Sequence, residues 1–123
     1  MEAAVLPELH GAYLPQLDGG LVADFLAGGA DLSAAIREVH KNDIRAMKKC
    51  KILVAVLDGP HVDSGVAFEI GYFYALGKPI IGFHTDSRTE FPFGHNPMIG
   101  GAMELIVNCE KDLLQALDSY WQK

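Results

Sequence analysis

The sequence predicts a doubly wound α/β domain, and three observations carry that prediction. Ile52 to Leu57 is an unbroken apolar run rich in β-branched residues, the pattern of a strand buried on both faces. A helical pattern lies on either side of it. A second short apolar run, Ile80 to Phe83, follows closely enough to complete a strand, helix, strand unit, which spans about thirty residues. At 123 residues the chain is read as a single domain over 1–123.

Taken in order, Glu2 to His10 reads as a helical fragment interrupted by Pro7, and Gly11 to Leu14 as a short strand closed by Pro15. Between Asp18 and Asp31 the glycine pairs Gly19-Gly20 and Gly28-Gly29 bracket a loop or a short irregular helix. Ser33 is a candidate cap for a helix running to about Lys49, with Ile36, Val39, Ile44 and Met47 on its apolar stripe. Asp58-Gly59-Pro60 ends the central strand. Asp63 or Ser64 then caps a helix from Gly65 to Leu76, and Gly77 stops it before Lys78-Pro79 leads into the next strand. A polar loop from His84 to His95 precedes a last strand, Glu104 to Val107, and a closing helix, Lys111 to Trp121. The alternation is that of a doubly wound sheet.

Composition narrows the possible partners. A net charge of −6, with no basic cluster beyond Lys48-Lys49-Cys50-Lys51, argues against a nucleic-acid surface and favours a small ligand of little charge. No apolar run approaches the ~20 residues of a membrane span, and no secretory signal pattern opens the chain. A cytoplasmic protein is expected, with Cys50 and Cys109 reduced and buried. The five histidines show no HxxxH or HExxH spacing, so no metal is expected; His61 and His95 read as solvated loop residues. Neither a GxGxxG turn nor a P-loop is present, and no cofactor is expected. The Lys41-Asn42-Asp43 stretch reads as a solvated helix face, and at least two of Tyr72, Phe73 and Tyr74 as core.

In an open parallel sheet, ligands bind outside the carboxyl ends of the strands, so the stretch from Asp58 to Ser64 falls where function is expected. It holds Asp58 and Asp63, and Glu69 follows among Phe68, Ile70, Tyr72 and Phe73. Read blandly, these are a turn residue, an N-cap and a surface residue. A carboxylate in an apolar setting is nevertheless costly unless used. Grouped carboxylates suit displacement at an anomeric carbon, one as nucleophile and another handling the proton on the leaving group.

The run Leu57-Asp-Gly-Pro-His-Val-Asp-Ser-Gly-Val-Ala-Phe-Glu-Ile-Gly-Tyr-Phe-Tyr-Ala-Leu-Gly-Lys-Pro79 resembles the central motif of the nucleoside 2-deoxyribosyltransferase family, D-G-x3-D-S-G-x-A-x-E-x-G-x3-A-x-G-K-P. Tyr13-Leu-Pro-Gln-Leu-Asp-Gly19 is similar to the family segment after its second strand, and Asn96-Pro-Met98 to its N-x-M element. The resemblance implies a flavodoxin-like, three-layer fold without a cofactor. It implies Glu69 as nucleophile, Asp58 and Asp63 for base binding and proton transfer, Gly65 beside the substrate, and Asn96 and Met98 reaching the sugar in a neighbouring subunit's site. A homo-oligomer acting on a nucleoside and a free nucleobase follows. Family members open with a strand and a Y-x-A-G-P-like loop that this sequence lacks, and that strand lies mid-sheet. Either the true start lies upstream, another segment fills the gap, or the chain is a degenerate homologue.

Three functions follow as expectations. One is base exchange on 2′-deoxyribonucleosides through a deoxyribosyl-glutamate, with ping-pong kinetics. Another is N-glycoside hydrolysis of a (deoxy)nucleoside or nucleotide with the same nucleophile. The third is non-catalytic nucleoside binding. Relatives that cleave nucleotides tend to carry Ser where this chain has Asp63 and Asn96. A carboxylate at 63 repels a phosphate, which favours a free nucleoside.

Overall fold

A computed structural model describes residues 2–6, 11–14 and 18–121, which fall in two compact units, one within residues 2–51 and the other from Ile52 onward. In the first unit, β1 (Glu2–Leu6) pairs antiparallel with β2 (Gly11–Tyr13) in the register Ala4↔Tyr13, Val5↔Ala12 and Leu6↔Gly11. The helical fragment expected from Glu2 is therefore a strand over its first part; residues 7–10 lie outside the described residues. Pro7 leaves too few residues ahead of it to repay helix nucleation, whereas pairing with β2 satisfies the backbone at once.

The glycine-bracketed region holds a short helix, α1 (Val22–Ala27), followed by α2 (Leu32–Lys49). The cap of α2 is Asp31 rather than Ser33. Asp31 keeps an extended backbone and its side chain accepts from Ala34 N at 2.7 Å, while Ser33 already lies within the helix and accepts from Arg37 instead. Of the expected stripe, Met47 is buried, Val39 and Ile44 are half-buried, and Ile36 is exposed. Nor is Asn42-Asp43 a solvated face: Asn42 Nδ2 donates to the Gly19 carbonyl at 3.1 Å, and Tyr13 donates its hydroxyl to Asp43 Oδ1 at 2.9 Å. Burial, with that carboxylate beside it, pushes the Tyr13 phenol well above its ordinary range.

The second unit runs β3 (Ile52–Val56), α3 (Ser64–Ala75), β4 (Ile80–Phe83), α4 (Pro97–Gly100), β5 (Leu105–Val107) and α5 (Glu110–Trp121). The three strands are parallel neighbours in the order β3-β4-β5, with Val54 opposite Ile81 and Ile81 opposite Leu105. They form one open sheet with helices on both sides, the flavodoxin-like arrangement expected. Strand alternation sorts the side chains between two layers. Ile52, Ile81 and Val107 pack with Ala116 of α5, joined by Phe83, Leu113, Leu117 and Tyr120. Leu53, Ala55 and Ile80 point to the opposite face and are buried, as are Val66, Ile70 and Phe73 of α3. Each such fully buried aliphatic or aromatic side chain contributes about 1.5–3 kcal/mol. Of the three consecutive aromatics, only Phe73 is fully buried; Tyr72 is half-buried and Tyr74 exposed, because a helix turns only one of three successive residues to the sheet. Cys50 is buried as expected, but Cys109 is exposed. No helix among the described residues is long and apolar enough to cross a membrane.

Gly82 marks the tightest point of this core. A Cβ there would lie 2.8 Å from Leu57 Cδ1, 3.2 Å from Ile106 Cγ1 and 3.2 Å from Met103 Sδ. Leu57 is fully buried and has little room to yield. Gly82→Val is expected to destabilise the protein by about 1–3 kcal/mol through overpacking, read as a lower urea midpoint; an unchanged midpoint contradicts this packing.

Candidate functional site

Two loops at the carboxyl ends of β3 and β4 are tied by a reciprocal pair of carboxylates. The Asp58 carboxylate accepts from Thr85 N at 2.6 Å, from the Thr85 hydroxyl at 2.5 Å and from Asp86 N at 3.3 Å. Asp86 answers across the same gap, its Oδ2 accepting from Gly59 N at 2.9 Å. Gly59 can aim that N–H because it adopts φ of +99°, a conformation a side chain would strain. Arg88 closes the far end through Nε at 3.1 Å and Nη2 at 2.8 Å to Asp86 Oδ2. The Thr85 hydroxyl lowers the Asp58 carboxyl below its usual range, and the Gly59 N–H, followed by Arg88, lowers Asp86 well below it.

Asp63 is the N-cap of α3. Its Oδ2 accepts from Gly65 N at 3.0 Å and Val66 N at 3.2 Å, so a single oxygen serves the helix while the residue remains exposed. Glu69 follows on the second turn and is only 8% exposed, so it is not a surface residue. At about 100° per residue, Glu69 lies at the edge of the buried arc of α3, beside Phe73 and Val66 and next to Gly65 one turn earlier. Helical side chains lean towards the helix N-terminus. On that tendency a side chain at position 69 leans towards the turn that holds Gly65, which carries no side chain.

Asn96 and Met98 lie elsewhere on the helix surface. Asn96 caps α4, its Oδ1 accepting from Met98 N at 2.9 Å, and Met98 is 82% exposed. Met98 and Ile99 border an apolar groove of about 320 Å³ against Ala67, Ile70, Gly71 and Tyr74 of α3. That face is about 150° around α3 from Glu69. Asp63, Gly65 and Glu69 thus lie at the cap and on the first two turns of α3, Asp58 is tied to Thr85 and Asp86 in the loop ahead of it, and Met98 borders another flank of the helix.

Sequence reasoning passed over Thr85, Asp86 and Arg88, weighed His84 only for metal spacing and read His95 as a solvated loop residue. The available signal was the position of His84-Thr85-Asp86 directly after β4, at the same sheet end as Asp58. His95 is not a solvated loop histidine: its Nε2 lies 3.3 Å from His84 Nδ1, and the rings meet edge-on at 4.7 Å. Potential ligand atoms of Asp58, His84 and Asp86 fall within 4.8 Å of one another. The donor set already has protein partners, however. The Arg88 carbonyl 3.0 Å from His84 Nε2 requires that nitrogen to carry its hydrogen, and Arg88 neutralises Asp86. A cation here would have to displace both.

The clamp predicts an acid response. Both carboxylates are held below the ordinary value of about 3.9, so their stabilisation is complete above that pH and is lost as pH falls through the lowered values. Asp58→Asn is expected to cost about 1 kcal/mol at pH 7 after allowance for solvent screening. The gap between the melting temperatures of the two proteins should narrow below pH 4. A gap that stays constant down to pH 2 contradicts the clamp.

Residues 10–109 match the model of the family described as nucleoside 2-deoxyribosyltransferase. Over 75 residues the chain is 39% identical to an uncharacterised protein of Schizosaccharomyces pombe, a match covering 58% of this chain and 34% of that one. A protein of Thermofilum pendens provisionally named 2′-deoxynucleoside 5′-phosphate N-hydrolase 1 is 43% identical over 54 residues, 44% of this chain and 36% of its own length. A nucleoside deoxyribosyltransferase of Limosilactobacillus fermentum is 40% identical over 42 residues, 34% of this chain and 25% of its own. The chain thus spans about a quarter to a third of the curated relatives it matches. Among solved structures, a conserved protein from Enterococcus faecalis V583 superposes with a TM-score of 0.59 at 30% identity, covering 68% of this chain and 65% of that one. With the family match extending over most of its length and the fold agreeing, the chain belongs to the nucleoside 2-deoxyribosyltransferase family.

Proposed function

We propose that this chain exchanges the base of 2′-deoxyribonucleosides, a reaction of nucleoside salvage, with Glu69 as the nucleophile. The observation that carries this reading is a buried carboxylate on the second turn of α3, a helix that Asp63 caps and that follows Asp58 at a parallel sheet's carboxyl end. In the first half-reaction Glu69 bonds to C1′ and the C1′–N bond breaks, its electrons and a proton going to the departing base. A second base then attacks C1′ and releases Glu69. Asp63 is the better candidate for passing the proton to the base, because its two backbone donors meet at a single oxygen. Asp58 spends its carboxylate on three donors, and those donors favour its ionised form. Its role is to hold the loop and accept from the base.

The same geometry supports a neutral substrate. A helix N-terminus attracts anions, but that of α3 is already occupied by its own cap carboxylate. A 5′-phosphate brought close to Asp63 meets like charge. Hydrolysis is the second reading, favoured by the relative whose name is that of a nucleotide N-hydrolase.

Incubation with deoxyinosine and adenine is expected to yield deoxyadenosine, with Glu69→Ala lowering the rate at least a thousandfold by removing the covalent step, on the order of 4 kcal/mol of transition-state stabilisation. Deoxyinosine monophosphate is expected to react more slowly than deoxyinosine. Free deoxyribose as the sole sugar product moves the assignment to hydrolase. Binding without turnover leaves only a nucleoside-binding protein.

The reading also calls for an oligomer. With Met98 on a flank of α3 away from Glu69, Asn96 and Met98 are better placed for a sugar in another copy's site than for one in their own. Exposed Phe93 and Tyr74, at 74% and 64%, supply apolar surface for the contact. Light scattering at micromolar concentration is expected to give at least a dimer, and Met98→Glu to shift it towards monomer with loss of exchange activity. A fully active monomer overturns this part.

A further inference from the structure

The loop from His84 to His95 is closed by its own two ends. His84 follows β4 directly, with 14% of its side chain exposed, and its Nε2 lies 3.1 Å from Asp86 Oδ1 and 3.0 Å from the Arg88 carbonyl. A carbonyl only accepts, so Nε2 carries the hydrogen, and neutral His84 presents the lone pair of Nδ1 to His95 Nε2 at 3.3 Å. Between the two ends, Phe91 and Gly94 exchange backbone hydrogen bonds of 3.0 and 3.1 Å, and the Thr89 hydroxyl donates to the Phe91 carbonyl at 2.7 Å. His95 is followed at once by Asn96, the cap of α4. The imidazole pair thus joins the end of β4 to the residue just ahead of the segment that carries Met98.

We propose that the His84–His95 pair positions the Asn96–Met98 segment and releases it when a second proton arrives, so that sugar recognition by that segment is proton-gated. This rests on Asn96 and Met98 facing substrate. The N···N contact has room for one hydrogen. With both rings neutral, His95 donates to His84. With one added proton, a single hydrogen still lies between the rings, and Asp86 offsets the charge. With two, each nitrogen carries a hydrogen aimed at the other and the contact becomes repulsive. The charged groups facing the pair are Asp86, Arg88 behind it and Asp58 across the clamp. Burial, and then the neighbouring His84, already hold His95 towards its neutral form. A histidine that resists protonation when folded stabilises the fold at neutral pH, and that contribution falls away below about pH 6.5.

The test compares the wild type with His95→Gln, whose amide can donate to His84 without titrating. Amide hydrogen exchange, corrected for intrinsic rates, is expected to show protection across residues 91–99 falling about tenfold between pH 7 and pH 5 in the wild type and staying level in the variant. In parallel, KM for deoxyinosine is expected to rise over that range in the wild type with kcat little changed, and to stay flat in the variant. The same pH dependence in both proteins, or none in the wild type, overturns the proposal. If His95→Gln does not fold, imidazole nitrogen spectra of the wild type decide. His84 as the Nε2–H tautomer, with Nδ1 accepting at neutral pH, supports the device, and the reverse tautomer removes it. Exchange protection and tautomer need no turnover, so failure of base exchange leaves this test standing.

Discussion

The arrangement of the second unit depends on one interaction, the reciprocal hydrogen bonding of Asp58 and Asp86. Parallel strands have no hairpin to join their carboxyl ends, so the loops that leave β3 and β4 need some other tie. Here each loop contributes a carboxylate to the other's backbone: Asp58 takes the N–H groups of Thr85 and Asp86, and Asp86 takes that of Gly59. The polar backbone of both turns is thereby satisfied where the sheet can no longer do so. The position of Asp63 at the head of α3, and of His84 at the end of β4, follows from how these turns are held.

Within α3, burial and exposure divide the labour. The arc from Glu69 to Ile70 faces inward with Val66 and Phe73, anchoring the helix and setting the depth of the carboxylate. Phe68 and Tyr72, stacked with ring centroids 6.4 Å apart, cover the neighbouring strip. Gly65 leaves an opening between the two. Its missing side chain also gives the cap room, since a Cβ there would stand 3.1 Å from Asp63 Oδ2 and press on it.

Much of this was legible in the sequence where local chemistry decides structure. The run Ile52 to Leu57 could only be a doubly buried strand, Asp63 had the residue type and place of an N-cap, and Gly77 stops α3 with φ of +70°. The burial of Glu69 was foreshadowed by its apolar neighbours. What escaped was whatever a distant partner decides. Glu2–Leu6 is a strand because of its pairing with Gly11–Tyr13, and Asp43 turns inward because Tyr13 reaches it from thirty residues away. Asp31 caps α2 in place of the expected Ser33 because its backbone is extended, which residue type alone does not reveal. The histidine pair was invisible for the same reason, its members being eleven residues apart in a loop without periodicity.

The chemistry of the clamp's donors also fixes how the site responds to its medium. Of the contacts that join the two loops, all but the Thr85 hydroxyl come from backbone N–H groups, which are neutral dipoles in van der Waals contact with their acceptors. Mobile ions weaken attraction between separated charges but have no room to enter such a contact. The Arg88 end, an exposed ion pair, and the repulsion between Asp58 and Asp86 are the parts open to screening, and they act in opposite directions. The backbone contacts around Asp58 accordingly depend less on ionic strength than a tie made of ion pairs would.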